Sequence, residues 1–296
     1  MNNVFKGTGV AIVTPFHKHG TVDFSSLENL VEHIIKGKAS YIVVLGTTGE
    51  AVTLSKEEKL AVSSHIVEVV NNRLPLVLGV GSNNTQEVIN TFHHSTLIES
   101  FQAIMSVTPC YNKPQQKGLY YHYKNISAAC PLPIIMYNVP GRTSVNMTAE
   151  TTLKIAQEFP NIIGIKEASG NMAQVMSIIK NKPDNFLVIS GDDLLALPII
   201  AAGGDGVISV AANAFPDIVS QMVNFALDKN LEKAVPLHYK MLDFVNAIFE
   251  QGNPSGIKAA LEILGLIQQY VRLPLVKVEK TLYNNIASII ETLNKK

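Results

Sequence analysis

The sequence predicts an α/β protein that folds as a (β/α)8 TIM barrel with a C-terminal helical appendage. Strand-like and helix-like segments alternate eight times over about 228 of the 296 residues, the usual size of such a barrel. The strand segments are continuous apolar runs, which is typical of parallel strands buried on both faces. After the first strand come Thr14, Pro15 and Phe16, where a doubly wound sheet, the competing fold, would normally carry a Gly-rich phosphate loop.

Each predicted strand is a short apolar run, often β-branched, that ends in polar or turn-forming residues. The strands are predicted at 9–16, 41–45, 74–80, 103–109, 133–140, 161–168, 186–193 and 206–210. Between them, apolar residues recur every three or four positions, as on one face of an amphipathic helix. The helices are predicted at 25–36, 55–71, 85–99, 116–129, 148–158, 172–180, 194–201 and 216–226. Ser25 or Ser26 is expected to cap the first helix, and Ser55 with Glu58 forms a capping box before the second.

Three further helical patterns follow the barrel, at 231–250, 254–268 and 280–293. Gly252-Asn253-Pro254 and Arg272-Leu273-Pro274 separate them, because proline interrupts a helix. We therefore expect a catalytic barrel domain at 1–228 and a C-terminal region at 229–296 that packs on the barrel.

The composition indicates which classes of partner the protein is expected to lack and in which compartment it is expected to work. Lys+Arg and Asp+Glu number 24 each, so neither a nucleic-acid nor a membrane-surface partner is expected, and the balance is compatible with a buried subunit interface. Residues 1–6 lack the pattern of a signal peptide, and no apolar run reaches the length of a membrane span. Cys110 and Cys130 have no metal-ligand spacing and are expected to be reduced thiols in a cytoplasmic protein that binds no metal.

Polar residues at the predicted strand ends are the candidates for chemistry, because the βα loops carry the active sites of barrels. They are Thr14, Thr47, Thr48, Thr108, Tyr111, Tyr137, Asn138, Arg142, Lys166, Glu167, Ser190, Asp192, Asp193 and Ser209. Lys166 stands apart, since it ends an isoleucine-rich strand in which an ammonium is not expected. Burial disfavours the charged form of an amine, and a neutral amine can form an imine with a carbonyl compound. The alternative is an amine that reaches water, as expected for the half-exposed Lys277.

Three other features each have a functional and a structural interpretation. Gly46-Thr47-Thr48-Gly49-Glu50 is either a tight turn before a helix or a loop whose N–H groups and hydroxyls hold a carboxylate. Tyr137 is either a proton shuttle beside the amine or an aromatic residue whose hydroxyl reaches a loop. Arg142 is either a bidentate carboxylate clamp or one half of a surface ion pair. The residues by themselves leave each choice open.

Six motifs in order along the chain resemble the pyruvate-dependent class I aldolase family. They are Gly46-Thr47-Thr48-Gly49-Glu50, Thr108-Pro109-Cys110-Tyr111-Asn112, Tyr137-Asn138-Val139-Pro140-Gly141-Arg142-Thr143, Gly164-Ile165-Lys166-Glu167, Ser190-Gly191-Asp192 and Gly206-Val207-Ile208-Ser209-Val210. The resemblance runs from Gly9 to Pro274 and is strongest to the branch that joins pyruvate to L-aspartate 4-semialdehyde. It implies a lyase of lysine and meso-diaminopimelate biosynthesis that gives 4-hydroxy-tetrahydrodipicolinate and needs no cofactor.

The resemblance also implies roles for individual residues. Lys166 would form the imine with pyruvate, and Tyr137, Thr47 and Tyr111 would relay protons. In this family the residue at the position of Tyr111 reaches into the neighbouring subunit's site, which implies a homodimer or homotetramer.

The same resemblance assigns the contacts with the two substrates. Thr48 would hold the pyruvate carboxylate, and Arg142 would hold the carboxylate of the semialdehyde. The backbone carbonyl of Ile208 would lie against the bound keto acid, and that of Gly191 near the second substrate.

Two departures from the family pattern carry expectations of their own. Many members have two adjacent tyrosines where this chain has Cys110-Tyr111, and the loss of one aromatic residue is expected to alter the packing of paired subunits. Members inhibited by lysine carry a histidine on the helix after the second strand, where this chain has Lys56 and Lys59. A second ammonium repels a cationic effector, although Glu87 remains as a counter-charge, so weak or absent inhibition is expected.

Three alternatives accompany this hypothesis. N-acetylneuraminate lyases and 2-keto-3-deoxy-sugar-acid aldolases share the lysine, the tyrosine and the loop, but sugar-cleaving relatives need hydroxyl-binding groups at Arg142. A pyridoxal-phosphate enzyme would need a phosphate cup at the last two loops, whereas the glycines at 203–206 precede the eighth strand. A barrel without activity would have to tolerate Lys166 by chance.

Overall fold

The computed structural model describes residues 2–94 and 97–295, and it forms a closed barrel of eight parallel strands in the order β1 to β8. The strands are β1 (Gly7–Ala11), β2 (Tyr41–Val44), β3 (Leu76–Val80), β4 (Ala103–Val107), β5 (Ile134–Asn138), β6 (Ile162–Glu167), β7 (Leu187–Ser190) and β8 (Gly206–Ser209). Each strand pairs in parallel with its neighbours, and β8 pairs with β1 to close the ring. The predicted (β/α)8 barrel is confirmed.

The helices surround the barrel and continue beyond it. They are α1 (Phe24–Lys36), α2 (Lys56–Val70), α3 (Thr85–His94), α4 (Gln116–Ala129), α5 (Pro140–Thr143), α6 (Ala149–Glu158), α7 (Met172–Asn181), α8 (Ala196–Ala201), α9 (Pro216–Leu227), α10 (Leu231–Glu250), α11 (Ser255–Ile263) and α12 (Lys280–Asn294). The short helix α5 was not predicted. The helix α10 packs against α9, α11 and α12, so the C-terminal helices are layered on the last helix of the barrel. None of the described helices combines the length and apolar character needed to cross a membrane.

Several predicted boundaries are wrong for identifiable reasons. The cap of α1 is Asp23, whose carboxylate accepts the Ser26 N–H, and not Ser25 or Ser26. The apolar run after β1 leaves the sheet because Val13 N–H donates to the side chain of Asn213. The helix predicted at 254–268 stops at Ile263 because Gly265 adopts a φ of 75°, a left-handed conformation that ends helices.

The helix predicted at 85–99 also ends early. α3 is described over Thr85–His94, and Ile98–Ser100 forms a separate 3-10 helix. Positions 95 and 96 of that prediction, like positions 1 and 296 of the predicted domain ranges, lie outside the described residues. The capping box is confirmed, since Ser55 accepts the Glu58 N–H and the Glu58 carboxylate accepts the Ser55 N–H.

Two apolar layers hold the barrel, one between the strands and the helices and one inside the ring. Tyr137 at the end of β5 belongs to the inner layer. Where β5 meets β6, the register shifts by one residue, because Ile134 pairs with Ile162 but Ile135 pairs with Gly164. Beyond that shift, Lys166 lies opposite Tyr137. Side chains alternate between the faces of a strand, so the shift turns Lys166 to the barrel interior.

Candidate active site

Lys166 lies near the C-terminal end of β6 and is buried, with an exposed fraction of 6%. Its amine lies 4.3 Å from the centroid of the Tyr137 ring on the neighbouring strand. Within residues 2–94 and 97–295, the amine has neither an ion pair nor a hydrogen bond. A buried lysine normally has a carboxylate partner. Lys166 is therefore a buried amine whose nitrogen is free for chemistry.

Gly191 lies directly against the stem of this lysine. A Cβ placed on Gly191 would come within 3.0 Å of Lys166 Cε and 2.7 Å of Ala168 Cβ. Only glycine therefore leaves room for the lysine in this position. The Gly191 N–H donates to the Glu167 carbonyl at 2.8 Å, which fixes the turn after β7 beside β6.

Ile208 is buried in the inner layer of the barrel together with Tyr137. It lies on β8, opposite Gly9 of β1. The structure thus groups Lys166, Tyr137, Gly191 and Ile208 at the C-terminal end of neighbouring strands.

The loop after β2 contains the 3-10 helix Thr47–Gly49. Thr48 is buried, and its hydroxyl oxygen accepts a hydrogen bond from Asn253 Nδ2 at 3.0 Å. Thr47 is exposed on the same rim of the barrel. The Gly49 carbonyl accepts the Thr14 hydroxyl at 2.7 Å, and the next residue, Glu50, has a φ of 53°. We name residues 46–50 the threonine loop.

Among the described residues, no hydrogen bond, ion pair or ring contact joins Tyr111 or Arg142 to this group. Tyr111 follows β4 with a φ of 66° and an exposed fraction of 87%, which is unusual for a large aromatic side chain. Arg142 is exposed on α5 and has no ion pair with any described residue, so the described part of the chain does not support a surface ion pair as its role.

The other polar residues at the strand ends hold loops in place. Asn138 donates to the Glu167 carboxylate at 3.0 Å and accepts the Met147 N–H, so it anchors the segment that carries Arg142. Asp193 accepts the Ser209 hydroxyl and the Val210 N–H. Burial raises the pKa of the Asp193 carboxyl, while these hydrogen bonds oppose the change.

Sequence reasoning missed Lys258, which is completely buried in α11. Its amine lies 2.5 Å from Glu50 Oε1, 2.8 Å from the Tyr270 carbonyl oxygen and 4.2 Å from the Phe16 ring centroid. Burial lowers the pKa of Lys258 to about 8, and the Glu50 carboxylate opposes this shift. The signal that could have found it is the apolar run around it, Gly256-Ile257-Lys258-Ala259-Ala260-Leu261.

The structure also bears on the alternative chemistries. The loop at 203–206 leads into the first residue of β8, at the end of the barrel opposite Lys166, where a phosphate could not reach that amine. Among the described residues, no three His, Cys, Asp or Glu side chains are placed to hold a metal ion.

Comparisons with known proteins give one consistent result. A family model described as the dihydrodipicolinate synthetase family matches residues 4–293. The 4-hydroxy-tetrahydrodipicolinate synthase of Flavobacterium psychrophilum is 50% identical over 291 residues, which cover 98% of this chain and 99% of the relative.

Two crystal structures show the same similarity in three dimensions. Dihydrodipicolinate synthase of Thermotoga maritima has a TM-score of 0.95 at 36% identity, with 98% of this chain and 99% of that chain covered. The chloride-inhibited dihydrodipicolinate synthase of Acinetobacter baumannii, complexed with pyruvate, has a TM-score of 0.94 at 41% identity, with 97% and 98% covered.

Proposed function

The chain belongs to the dihydrodipicolinate synthetase family, and on that premise we propose that it condenses pyruvate with L-aspartate 4-semialdehyde to 4-hydroxy-tetrahydrodipicolinate. The observation that carries the proposal is the buried, unpaired amine of Lys166 beside Tyr137. The similar structure from Acinetobacter baumannii, a complex with pyruvate, supports the keto acid as the first substrate. The reaction makes the chain a lyase of lysine and diaminopimelate biosynthesis.

The proposed reaction begins at the amine of Lys166. Its nitrogen attacks the keto carbon of pyruvate, and water leaves to give an imine. Loss of a methyl proton gives an enamine, whose carbon adds to the aldehyde of the semialdehyde. The amino group of the second substrate then displaces Lys166 by transimination, and the ring closes. The iminium formed on Lys166 serves as the electron sink, so the proposal requires no cofactor.

Protons must reach and leave the substrate oxygen during imine formation, and we assign this to Tyr137, Thr47 and Tyr111. The position of Tyr137 across from Lys166 supports its part, because a general acid has to lie beside the atom that it protonates. Thr47 lies after β2 on the same rim of the barrel. Tyr111 is assigned on its motif alone, since its side chain is exposed.

The residues assigned to substrate binding lie on the same rim of the barrel. Thr48 is assigned to the pyruvate carboxylate, because hydroxyl and N–H donors in a tight turn suit an anion. Arg142 is assigned to the carboxylate of the semialdehyde, and its lack of an ion-pair partner among the described residues leaves the guanidinium available. The carbonyls of Ile208 and Gly191 are assigned to the bound keto acid and to the second substrate.

We propose that the active form is a homodimer or homotetramer in the cytoplasm. The exposed Tyr111 side chain, on a left-handed backbone, supports an interface between subunits, because aromatic residues are enriched at interfaces. Cys110 lies next to Tyr111, and both its N–H and its thiol contact Asn83 Oδ1, so it does not replace a stacking aromatic residue. The two free cysteines are in keeping with a reducing compartment.

Inhibition by L-lysine is expected to be weak or absent. Lys56 and Lys59 lie in the first turn of α2, and the Glu87 carboxylate is already bound by the Ser82 hydroxyl at 2.5 Å. Two ammonium groups would repel a cationic effector, and one occupied carboxylate offsets little of that repulsion. Turnover measured against increasing L-lysine tests this, and clear inhibition below about 1 mM, a usual cellular range for small ligands, would contradict it.

The test of the proposed function is to trap the imine. The protein is incubated with pyruvate, reduced with borohydride and digested, and the adduct is mapped by mass spectrometry. The expected adduct lies on Lys166, whereas an unlabelled Lys166 would overturn the proposal. Turnover with L-aspartate 4-semialdehyde, and none with N-acetylneuraminate, then separates the proposed reaction from that of the sugar-acid relatives.

A further inference from the structure

The C-terminal region contacts the threonine loop at its middle residue and at its last residue. Asn253 and Lys258, which come just before and within α11, reach Thr48 and Glu50. We propose that Asn253 and Lys258 are positioning residues that orient the threonine loop for the pyruvate carboxylate. The proposal rests on the proposed function of Thr48 and adds a role for residues more than 200 positions away in the chain.

The contact of Asn253 sets the direction of the Thr48 hydroxyl. The amide nitrogen Nδ2 is a donor, so the Thr48 oxygen uses a lone pair to accept from it. The hydroxyl hydrogen of Thr48 is then left to donate to a substrate carboxylate. Both residues are buried, so water does not compete for this hydrogen bond. The Thr48 hydroxyl could otherwise donate or accept, and the contact with Asn253 leaves it as a donor toward the substrate.

The contact of Lys258 fixes the last residue of the loop. Glu50 has a left-handed backbone, which a residue other than glycine adopts only when its surroundings hold it. Its carboxylate is held by the Lys258 amine on one oxygen and by the Arg272 N–H at 3.0 Å on the other. The Glu50 side chain therefore cannot rotate without breaking a buried ion pair.

The surrounding contacts make this arrangement rigid. The Arg272 guanidinium bonds the Glu58 carboxylate at the start of α2 and the Thr53 carbonyl at 2.8 Å. The Phe16 ring lies 4.2 Å from the Lys258 amine and 4.5 Å from the Arg272 guanidinium carbon. The threonine loop is thus held by the C-terminal region, while Thr14 holds it from the barrel.

Asn253→Ala tests the first contact. In a mechanism with two half-reactions, kcat/KM for each substrate reports a separate step. We expect kcat/KM for pyruvate to fall about tenfold, the scale of one hydrogen bond, while kcat/KM for the semialdehyde falls less than about threefold. Equal losses for both substrates would show general loosening of the site and would overturn the proposal, as would an unchanged value for pyruvate.

Lys258→Met tests the second contact, because it leaves the Glu50 carboxylate buried without a partner. We expect a loss of kcat/KM for pyruvate of about tenfold or more, and recovery of at least half of that loss on a logarithmic scale in Glu50→Gln/Lys258→Met. If the single variant does not fold, the double variant is expected to recover both the fold and turnover of pyruvate. A double variant that is no better than the single variant would overturn the role of this pair.

Two controls distinguish a specific effect on the threonine loop from a general effect of mutation and from failure of the proposed function. Glu32→Gln breaks the exposed ion pair with Arg73 and is expected to leave both kcat/KM values unchanged. Borohydride trapping on the unmodified chain tests the proposed function itself, since an unlabelled Lys166 there would overturn that function whatever the variants do. With Lys166 labelled, the same trapping at saturating pyruvate should label Asn253→Ala to the same extent, because the lysine is intact and only the affinity for the carboxylate has changed.

Discussion

Two buried lysines in different regions of the molecule have opposite surroundings. Lys258 in the C-terminal region contacts a carboxylate, a carbonyl oxygen and an aromatic ring. Lys166 at the barrel rim contacts the ring of Tyr137. The distance from its amine to the ring centroid is 4.3 Å, and the distance from the Lys258 amine to the Phe16 centroid is 4.2 Å. The ring therefore does not distinguish them, but the carboxylate does. A buried amine that is bound to a carboxylate stabilises the contact between the segments that carry the two groups. A buried amine without a carboxylate partner has its nitrogen available to form an imine.

The largest effect is expected at the unpaired lysine. Lys166→Met removes the proposed nucleophile, so turnover should fall by at least about 10⁴-fold, as when other catalytic nucleophiles are deleted. The fold should persist, because no ion pair of the described residues is broken. Steady-state assays and circular dichroism check both points, with the exposed Lys180→Met as the matched control. Turnover within tenfold of the unmodified chain would show that the unpaired amine is not the catalyst.

Replacement of Lys258, the paired lysine, should lower stability, whereas replacement of Lys166 should not. Lys258→Met is expected to lower the free energy of unfolding by about 3–5 kcal/mol, because it leaves a carboxylate buried and unpaired. Glu50→Gln/Lys258→Met should lose much less, since it removes both charges. Urea denaturation of the two variants measures the difference. If the single variant is as stable as the unmodified chain, the ion pair does not hold the two regions together.

Tyr137→Phe separates the ring from the hydroxyl beside Lys166. The ring contact with the amine remains, whereas the proposed proton donor is lost, so kcat should fall about 10²–10³-fold. Imine trapping should still label Lys166, at a lower rate. Single-turnover trapping compared with steady-state assays checks this, and Tyr121→Phe on the exposed face of α4 serves as the control. An unchanged kcat would assign the proton transfer to another residue.

The smallest effect concerns the half-buried ion pair that accompanies Lys258. The hydrogen bonds from Arg272 lower the pKa of Glu58 to about 2, below its ordinary value of 4.5. The unfolded chain therefore binds this proton more readily, so the contribution is fully present above about pH 4.5 and is lost as pH falls toward 2. Because the pair is partly solvated, its contribution is about 1 kcal/mol.

Glu58→Gln tests whether this contribution to stability is lost as the pH falls. Urea midpoints of the variant and the unmodified chain should differ at pH 7 and converge as the pH is lowered to 3. A difference that stays constant over this range would mean that the Glu58 charge does not contribute through Arg272.

The predicted positions of the site residues and the observed ones show where sequence reasoning stops. Lys166, Tyr137 and the threonine loop could be singled out as candidates because barrels carry their chemistry where the strands end, and because a lysine is not expected in an apolar strand. Lys258 carries the same signal, a lysine within an apolar run, but helix periodicity gave no reason to place it near the active site. Asn253 appeared only as part of a helix break, and its contact with Thr48 spans 205 residues.

The sequence by itself determined the (β/α)8 barrel, because eight apolar strands separated by amphipathic helices have few ways to bury their surfaces. It also determined which rim would carry the candidate residues, since the C-terminal ends of parallel strands meet on one side. Only the tertiary structure decided that Lys166 points inward, because the register shift between β5 and β6 depends on how two strands pack. Only the tertiary structure decided that Lys258 is paired with Glu50, because that contact joins residues 208 positions apart. Local patterns set which elements form, whereas the partners of a buried charge are set by which elements meet.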